Sequence, residues 1–289
     1  MATQMAVMMQ PPQQQPLMGQ TTNAEQLIQS EGVMVRQLTS ECCRPCCLQP
    51  NIHWTVHAYQ HQIQDFDTVA PTGVWIQEEA PYCGRCCSFF APGSRKTTYR
   101  VLEDVPPSVD TPAANKAGQA VYTFEKEGTC GQNAVVAITN NGIVRCPCCC
   151  YLPYLDAKDR NGNLIGRTEY LCDMCLFVPK FQVLEADTKT VAYLVRPDTC
   201  VGGICVQCKC DGVRGKCCRV PYYVRHPSTR EKYGDAQISD LFAGFKNECC
   251  TKRNIYAVKY PDMATPAHKA TLLATSLLID ITLVEQEDG

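Results

Sequence analysis

Two hydrophobic periods divide this chain. From about residue 33 to 260 apolar positions mostly alternate with polar ones in short runs, and from 271 to 284 the sequence turns almost continuously apolar. Ile52, Trp54, Val56 and Ala58 alternate with His53, Thr55, His57 and Tyr59, the two-residue period of a half-buried strand. The same reading predicts strands over 33–38, 73–77, 97–102, 120–124, 135–138, 181–184, 191–195, 222–225 and 256–260. Turn signals separate them at Asn140-Asn141-Gly142, Asn161-Gly162 and Gly202-Gly203. A short helix is expected over 24–31, ahead of the first strand.

The C-terminal run, Thr-Leu-Leu-Ala-Thr-Ser-Leu-Leu-Ile-Asp-Ile-Thr-Leu-Val, reads as a helix. Thr265 is placed as an N-cap and Pro266 as the first helical residue. A bilayer-spanning helix needs about 20 mainly apolar residues, and runs of about 10–14 are usually core helices. This one carries Asp280 and ends in Glu285, Glu287 and Asp288. A helix apolar on most faces must be enclosed by protein or lipid. The expectation is enclosure by protein, with Leu272, Leu273, Leu277, Leu278 and Asp280 as core-helix positions and a membrane segment as the alternative. Ten or more short strands and one apolar helix make the chain mainly β: a closed antiparallel β-barrel around a buried C-terminal hydrophobic α-helix. Closure also removes sheet edges.

Composition changes this picture at the N-terminus. Residues 1–22 are rich in Met, Gln and Pro and carry no charge, so they are expected to be a flexible tail, with residues 23–289 forming one barrel domain. The tail has no Pro-x-x-P pair, so an SH3-type ligand is not signalled. It lacks a basic n-region and a long apolar core, so secretion is not expected, and it does not begin Met-Gly, so N-myristoylation is not signalled. The formal net charge of −2 argues against a general nucleic-acid binder. Charge is nonetheless uneven: residues 209–269 hold twelve Lys or Arg against six Asp or Glu. That excess is either a solvated surface or a means of attraction to an anionic membrane, where each nearby basic residue contributes about 1 kcal/mol.

The 22 cysteines need their own explanation, because a cytosolic default keeps thiols reduced. Five Cys-x-x-Cys steps occur: Cys43/Cys46, Cys83/Cys86, Cys146/Cys149, Cys172/Cys175 and Cys205/Cys208. Two such pairs can complete a tetrahedral Zn²⁺ site, although the intervals between pairs are not those of a standard finger. A second reading is S-acylation at Cys146, Cys148, Cys149 and Cys150, since two or more acyl chains turn weak membrane contact into stable anchoring. A third is burial as small hydrophobes, the expectation for Cys130 and Cys200.

Taken in order, these segments resemble the phospholipid scramblase family, within the Tubby C-terminal-like fold. Ala24-Glu-Gln-Leu-Ile-Gln-Ser-Glu-Gly-Val-Met-Val-Arg-Gln-Leu is similar to the family's leading helix and first strand. Tyr82-Cys-Gly-Arg-Cys-Cys resembles its first Cys-rich loop, followed by a strand over 96–103. Ala117-Gly-Gln-Ala-Val-Tyr-Thr-Phe resembles its next strand, and Val144-Arg-Cys-Pro-Cys-Cys-Cys its palmitoylated motif. The stretch from Asn163-Leu-Ile-Gly to Pro179-Lys-Phe is similar to its Gly-rich and following strands, and 270–285 to its C-terminal helix. The resemblance is collinear over about 25–285. It implies twelve strands around the helix, membrane association on the cytoplasmic face, with the plasma membrane expected, and movement or binding of phospholipids without covalent chemistry.

It also implies Ca²⁺ as cofactor, through an acidic Asp-x-Asp-Asn step before the last helix. Here that stretch is Thr251-Lys252-Arg253-Asn254, which puts cations where hard carboxylate oxygens are needed; only Asn254 and Asp262 remain of the site. A calcium loop with its glycine at Gly162 would run from Ala157 to Thr168 and lack both terminal carboxylates. The cluster Cys42–Cys47 departs from the usual family pattern. No Gly-rich phosphate loop or nucleophile elbow occurs, so an enzyme is not expected. His53, His57 and His61 recur at four-residue spacing, and His53 and His57 are expected on a strand's exposed polar face. The alternative to scrambling is a lipid-responsive adaptor or scaffold barrel, Zn²⁺-stabilised if the Cys pairs bind metal.

Overall fold

The computed structural model describes residues 22–38, 52–59, 72–80, 96–103, 120–127, 133–139, 142–147, 152–171, 178–200, 206–209, 219–241 and 254–287; within these, the side chains of 133–147 and of 283–287 are not described. Helix α1 (Asn23–Gln29) opens with a capping box, in which Glu25 N donates to Thr22 Oγ1 (3.2 Å) and Thr22 N to Glu25 Oε2 (3.0 Å). Its buried residues, Ala24 and Ile28, stand four apart and so share one face.

Twelve antiparallel strands then close into a barrel. They are β1 (Gly32–Gln37), β2 (His53–Ala58), β3 (Val74–Glu79), β4 (Thr97–Glu103), β5 (Tyr122–Lys126), β8 (Tyr154–Lys158), β9 (Leu164–Leu171), β10 (Lys180–Glu185), β11 (Val191–Pro197), β12 (Arg219–Arg225), β13 (Lys232–Leu241) and β14 (Ile255–Lys259). Each pairs with its neighbour in sequence, and β1 closes the ring by pairing Val33 with Val258 of β14 and Ala58 of β2. Between β5 and β8 the chain leaves the wall and forms a separate hairpin of β6 (Asn133–Thr139) and β7 (Gly142–Pro147). The strand predicted over 135–138 therefore lies outside the barrel, with Thr139 in register with Gly142 of β7.

Helix α2 (Pro266–Glu287) fills the barrel. His268 N donates to Thr265 Oγ1 (3.2 Å) and Lys269 N to Thr265 O (2.9 Å), so Thr265 is the N-cap and Pro266 takes the first position, where its missing N–H costs nothing. Every described residue from Ala270 to Thr282 is buried. The helix packs chiefly along β8, β9 and β10, and Gly166 of β9 makes room for it: a Cβ there would stand 2.4 Å from Thr271 Oγ1 and 3.0 Å from Leu184 O. Facing side chains of the wall, among them Trp54, Tyr99, Phe124, Phe181 and Tyr256, complete one core around the helix.

Periodicity missed β7, β8, β9 and β13, of which β9 is expected only from the family resemblance. In β8 only Leu155 and Ala157 point inward, and in β13 the first four residues are exposed or half-buried. Pairing with both neighbours holds β8 and β13, and a short apolar signal does not announce that. Because the wall is an up-and-down meander, its connections alternate between two ends. The one after β1 leaves at one end and the one after β2 at the other, and so on around the ring.

Candidate functional site

Along the barrel axis the residues expected to form the core helix do so. Leu272, Leu273, Leu277 and Leu278 are fully buried and Asp280 is 2% exposed. The hydroxyls that interrupt the apolar run are satisfied: Thr271 donates to Ala267 O (2.8 Å), Ser276 to Leu273 O (2.7 Å) and Thr282 to Leu278 O (2.8 Å). Thr275 bonds Thr271 O and Thr168 Oγ1, each at 2.9 Å. Such back-bonding lets polar residues sit in a dry interior. No helix among the described residues is long and apolar enough to cross a membrane.

Asp280 anchors a polar cluster at the end where β1 finishes. Asn254 Nδ2 donates to Asp280 Oδ1 at 2.6 Å and the Tyr256 hydroxyl to the same oxygen at 3.1 Å. Asn254 is further tied to Gln37, accepting its N–H at 3.0 Å. Burial, and then the neighbouring Asp280 carboxylate, push the Tyr256 hydroxyl well above its usual range. This network ties α2 to β14 and β1.

The remnant calcium pair is not a pair. Asn254 stands at the start of β14 and Asp262 beyond its other end. The strand Ile255–Lys259, about 17 Å of extended chain, lies between them, and Asn254 already serves Asp280. The loop at Asp159 is a hairpin turn of another kind: Asp159 accepts from Asn161 N (2.9 Å), Asn163 N (2.8 Å) and Asn163 Nδ2 (3.0 Å). Its carboxyl is held low, a burial effect being outweighed by the Asn163 and Asn161 hydrogen bonds. Gly162, at φ +82°, supplies the left-handed residue of that turn.

Of the cysteine candidates, Cys208 is exposed, as is Cys200, which the sequence placed in the interior. Cys146 lies in β7, with its side chain not described. Cys43, Cys46, Cys83, Cys86, Cys148, Cys149, Cys150, Cys172, Cys175 and Cys205 lie outside the described residues, and so do Cys130 and His61. Among the described residues no group of metal-ligating side chains is gathered. His53 and His57 correct the expectation of an exposed face: they are 8% and 5% exposed, because the outer side of this part of the wall is itself covered. His57 Nε2 bonds Thr55 Oγ1 at 2.7 Å.

Sequence reading missed two arrangements. On the outer wall of β12 and β13, the Tyr223 ring carries Lys232 Nζ at 3.4 Å, Lys209 Nζ at 5.4 Å and Arg225 Cζ at 5.8 Å from its centroid. Asp198 pairs with both Arg225 and Lys232. Arg196, in register with Tyr223, has its guanidinium pKa lowered by burial and then by Arg225 and Arg230. Part of the cationic excess of 209–269 is thus gathered on one wall, a juxtaposition that strand pairing creates.

The second arrangement fixes the start of α2. Tyr193 OH bonds His268 Nδ1 (3.2 Å), and His268 Nε2 bonds Glu185 Oε1 (2.8 Å). Burial first, then Tyr233 and Glu185, push the Tyr193 hydroxyl up to about 12, so the phenol stays protonated and serves as a clamp. Its members come from β10, β11 and α2, 75 and 83 residues apart, and no local motif could have joined them. No family model matches the chain, and no solved structure matches it.

Proposed function

We propose that the protein works at a phospholipid membrane as a scramblase-like barrel, binding phospholipids or moving them between leaflets without covalent chemistry. The observation that carries this reading is the fold: a closed twelve-strand barrel wrapped around an apolar helix is what the collinear resemblance to the phospholipid scramblase family implies. The cations around Tyr223 supply a basic surface suited to anionic headgroups. S-acylation of Cys146, Cys148, Cys149 and Cys150 would hold the protein on the cytoplasmic leaflet, because one acyl chain gives only about 10⁴ M⁻¹ and durable anchoring takes two signals.

A second reading is favoured by one observation. Helix α2 is buried along the barrel axis, so the barrel lumen offers no lipid path and a headgroup would have to pass along the outside. That favours an adaptor which binds lipid without transferring it. Reconstitution of the full chain in liposomes, following flip-flop of a labelled lipid, separates the two. Transfer above the protein-free rate supports scrambling, and binding with no transfer leaves the adaptor. Added Ca²⁺ is expected to change neither result, since Asn254 and Asp262 stand apart. Replacing Cys148, Cys149 and Cys150 by Ser should move protein from membrane to soluble fraction with an unchanged melt. Release of Zn²⁺ with a collapsed melt and no acyl signal would instead assign these thiols to a structural metal.

A further inference from the structure

Strand pairing on the outer wall of β11, β12 and β13 sets like charges against one another. Arg225 stands directly opposite Lys232 across β12 and β13, and Arg196 of β11 stands opposite Tyr223, two residues before Arg225 on the same face. Opposed like charges destabilise a sheet. Asp198 offsets this one, accepting from Lys232 Nζ at 2.7 Å and from Arg225 Nη2. The turn from β12 to β13 adds a third guanidinium. Arg225 Nη1 donates to Arg230 O at 3.0 Å, and Arg230 holds a left-handed φ of +63°, which glycine adopts at less cost. What arginine adds at that position is its side chain.

Arg196, Arg225, Arg230 and Lys232 thus have one paired carboxylate between them, Asp198. The side chains of Arg196 and Arg230 make no hydrogen bond or ion pair among the described residues. Asp235 is taken by Lys259, and Glu231, exposed in the turn, pairs with none of the four. Arg196 is half-buried, and the charges that bear on it are those of Arg225 and Arg230. Two further polar groups here are buried without a hydrogen-bond partner among the described residues, the Tyr223 hydroxyl and Arg225 Nε. Tyr223 is 6% exposed, and buried polar groups are ordinarily satisfied. A solvated basic face explains neither the unpaired guanidiniums held together nor the orphaned groups among them. An anion with several acceptor oxygens explains both. Guanidinium forks match phosphate oxygens, and charge selects among phosphates. A phosphomonoester carries about −1.5 to −2 at pH 7, enough to balance both Arg196 and Arg230, whereas a phosphodiester, at about −1, leaves one of them unbalanced.

We propose that Arg196, Arg225, Arg230 and Lys232 form a phosphomonoester site on the outer wall of the barrel, filled from a lipid headgroup or from a soluble phosphate. The site deepens the membrane reading above, on which its lipid source rests. The test measures binding of the full chain to phosphatidylcholine vesicles carrying phosphatidic acid, to vesicles carrying phosphatidylglycerol at equal surface charge, and to glycerol 3-phosphate by calorimetry. Phosphatidic acid, a monoester, should be preferred over the diester by about tenfold, and Arg196→Gln and Arg230→Gly should each weaken monoester binding by about tenfold or more. Glycine suits the left-handed turn, so Arg230→Gly should melt no lower than the parent chain, and its lost binding is not a lost fold. Arg167→Gln removes the same charge from a guanidinium already paired with Asp156 and should change binding less than about twofold. Glycerol 3-phosphate bound by the parent and lost in both variants, with no vesicle bound, supports the site and overturns the membrane reading. Equal binding to the two kinds of vesicle, unchanged by Arg196→Gln and Arg230→Gly, overturns the site and leaves the membrane reading standing. A parent chain that binds neither vesicles nor glycerol 3-phosphate overturns both.

Discussion

The barrel wall has two unlike halves. On β8, β9, β10 and β11 burial alternates strictly over most of each strand, with inward residues covered by α2 and outward residues half-exposed. On β14, β1 and β2 nearly every residue is buried on both faces. The outward residues Met34, His57 and Ala257 stand in register across these three strands. Met34, Ile255 and Ala257 form a second small core, with Tyr59 and Leu241 packed against it. The first half stabilises its outer face with paired charge, as in Arg167 with Asp156 (2.6 Å) and Lys158 with Glu125 (2.6 Å). The second half does so by removing apolar surface from water. An outward position therefore has no fixed worth in this barrel; it depends on which half carries it.

The inner face should be the most sensitive in either half. Leu273→Ala with Leu277→Ala removes two fully buried side chains, each worth about 2–5 kcal/mol. Soluble yield and melting temperature should fall sharply. Retained stability together with lost membrane insertion would turn α2 into a membrane segment and dissolve the comparison.

The outer faces offer the direct contrast. Met34→Ala, on the covered half, should cost about 2–5 kcal/mol, whereas Arg167→Ala, on the open half, should cost about 1 kcal/mol or less, its contact with the Tyr154 ring at 4.1 Å included. Urea melts of the two variants decide this, and equal losses would erase the distinction. Gly166→Ala tests how tightly the open half is seated on the helix. Its new methyl meets Thr271 Oγ1 and backbone oxygen of Leu184, and overpacking of this kind costs about 1–3 kcal/mol. A neutral result would mean that α2 and β9 can separate without penalty.

The smallest effect is at the β10–β11 turn. Backbone and side-chain hydrogen bonds from Thr190, and then the Lys189 N–H, hold the exposed Asp187 carboxyl down to about 2 from 3.8. A lowered folded-state pKa gives stability that is present above the unfolded value and lost as pH falls through the folded one. The difference between the parent chain and Asp187→Ala should thus be constant above about pH 5 and shrink between about pH 4 and 2. A difference that stays constant down to pH 2 would show that the turn does not use the charge.

How much of this the sequence carried depends on how local the cause is. Thr265, Pro266 and the apolar run wrote α2 into the chain, since capping and continuous hydrophobicity act over a few residues. Alternation likewise announced the strand at 53–58 as β2, because one face of that strand is core. The same alternation misread His53 and His57: period two reports that the faces differ, and says nothing of whether the polar one is covered. Asn254 and Asp262, already too few for a site in the sequence, are also held apart by the strand Ile255–Lys259 between them. The closed order of the wall, the Asp280–Asn254–Tyr256 cluster, the cations around Tyr223 and the Tyr193–His268–Glu185 clamp join residues through pairing between strands, which no short window contains. The sequence by itself determined the two-residue alternation of the strands and the apolar run of α2; only the closed order of the wall decided which strands lie side by side, because antiparallel pairing joins residues far apart in the chain.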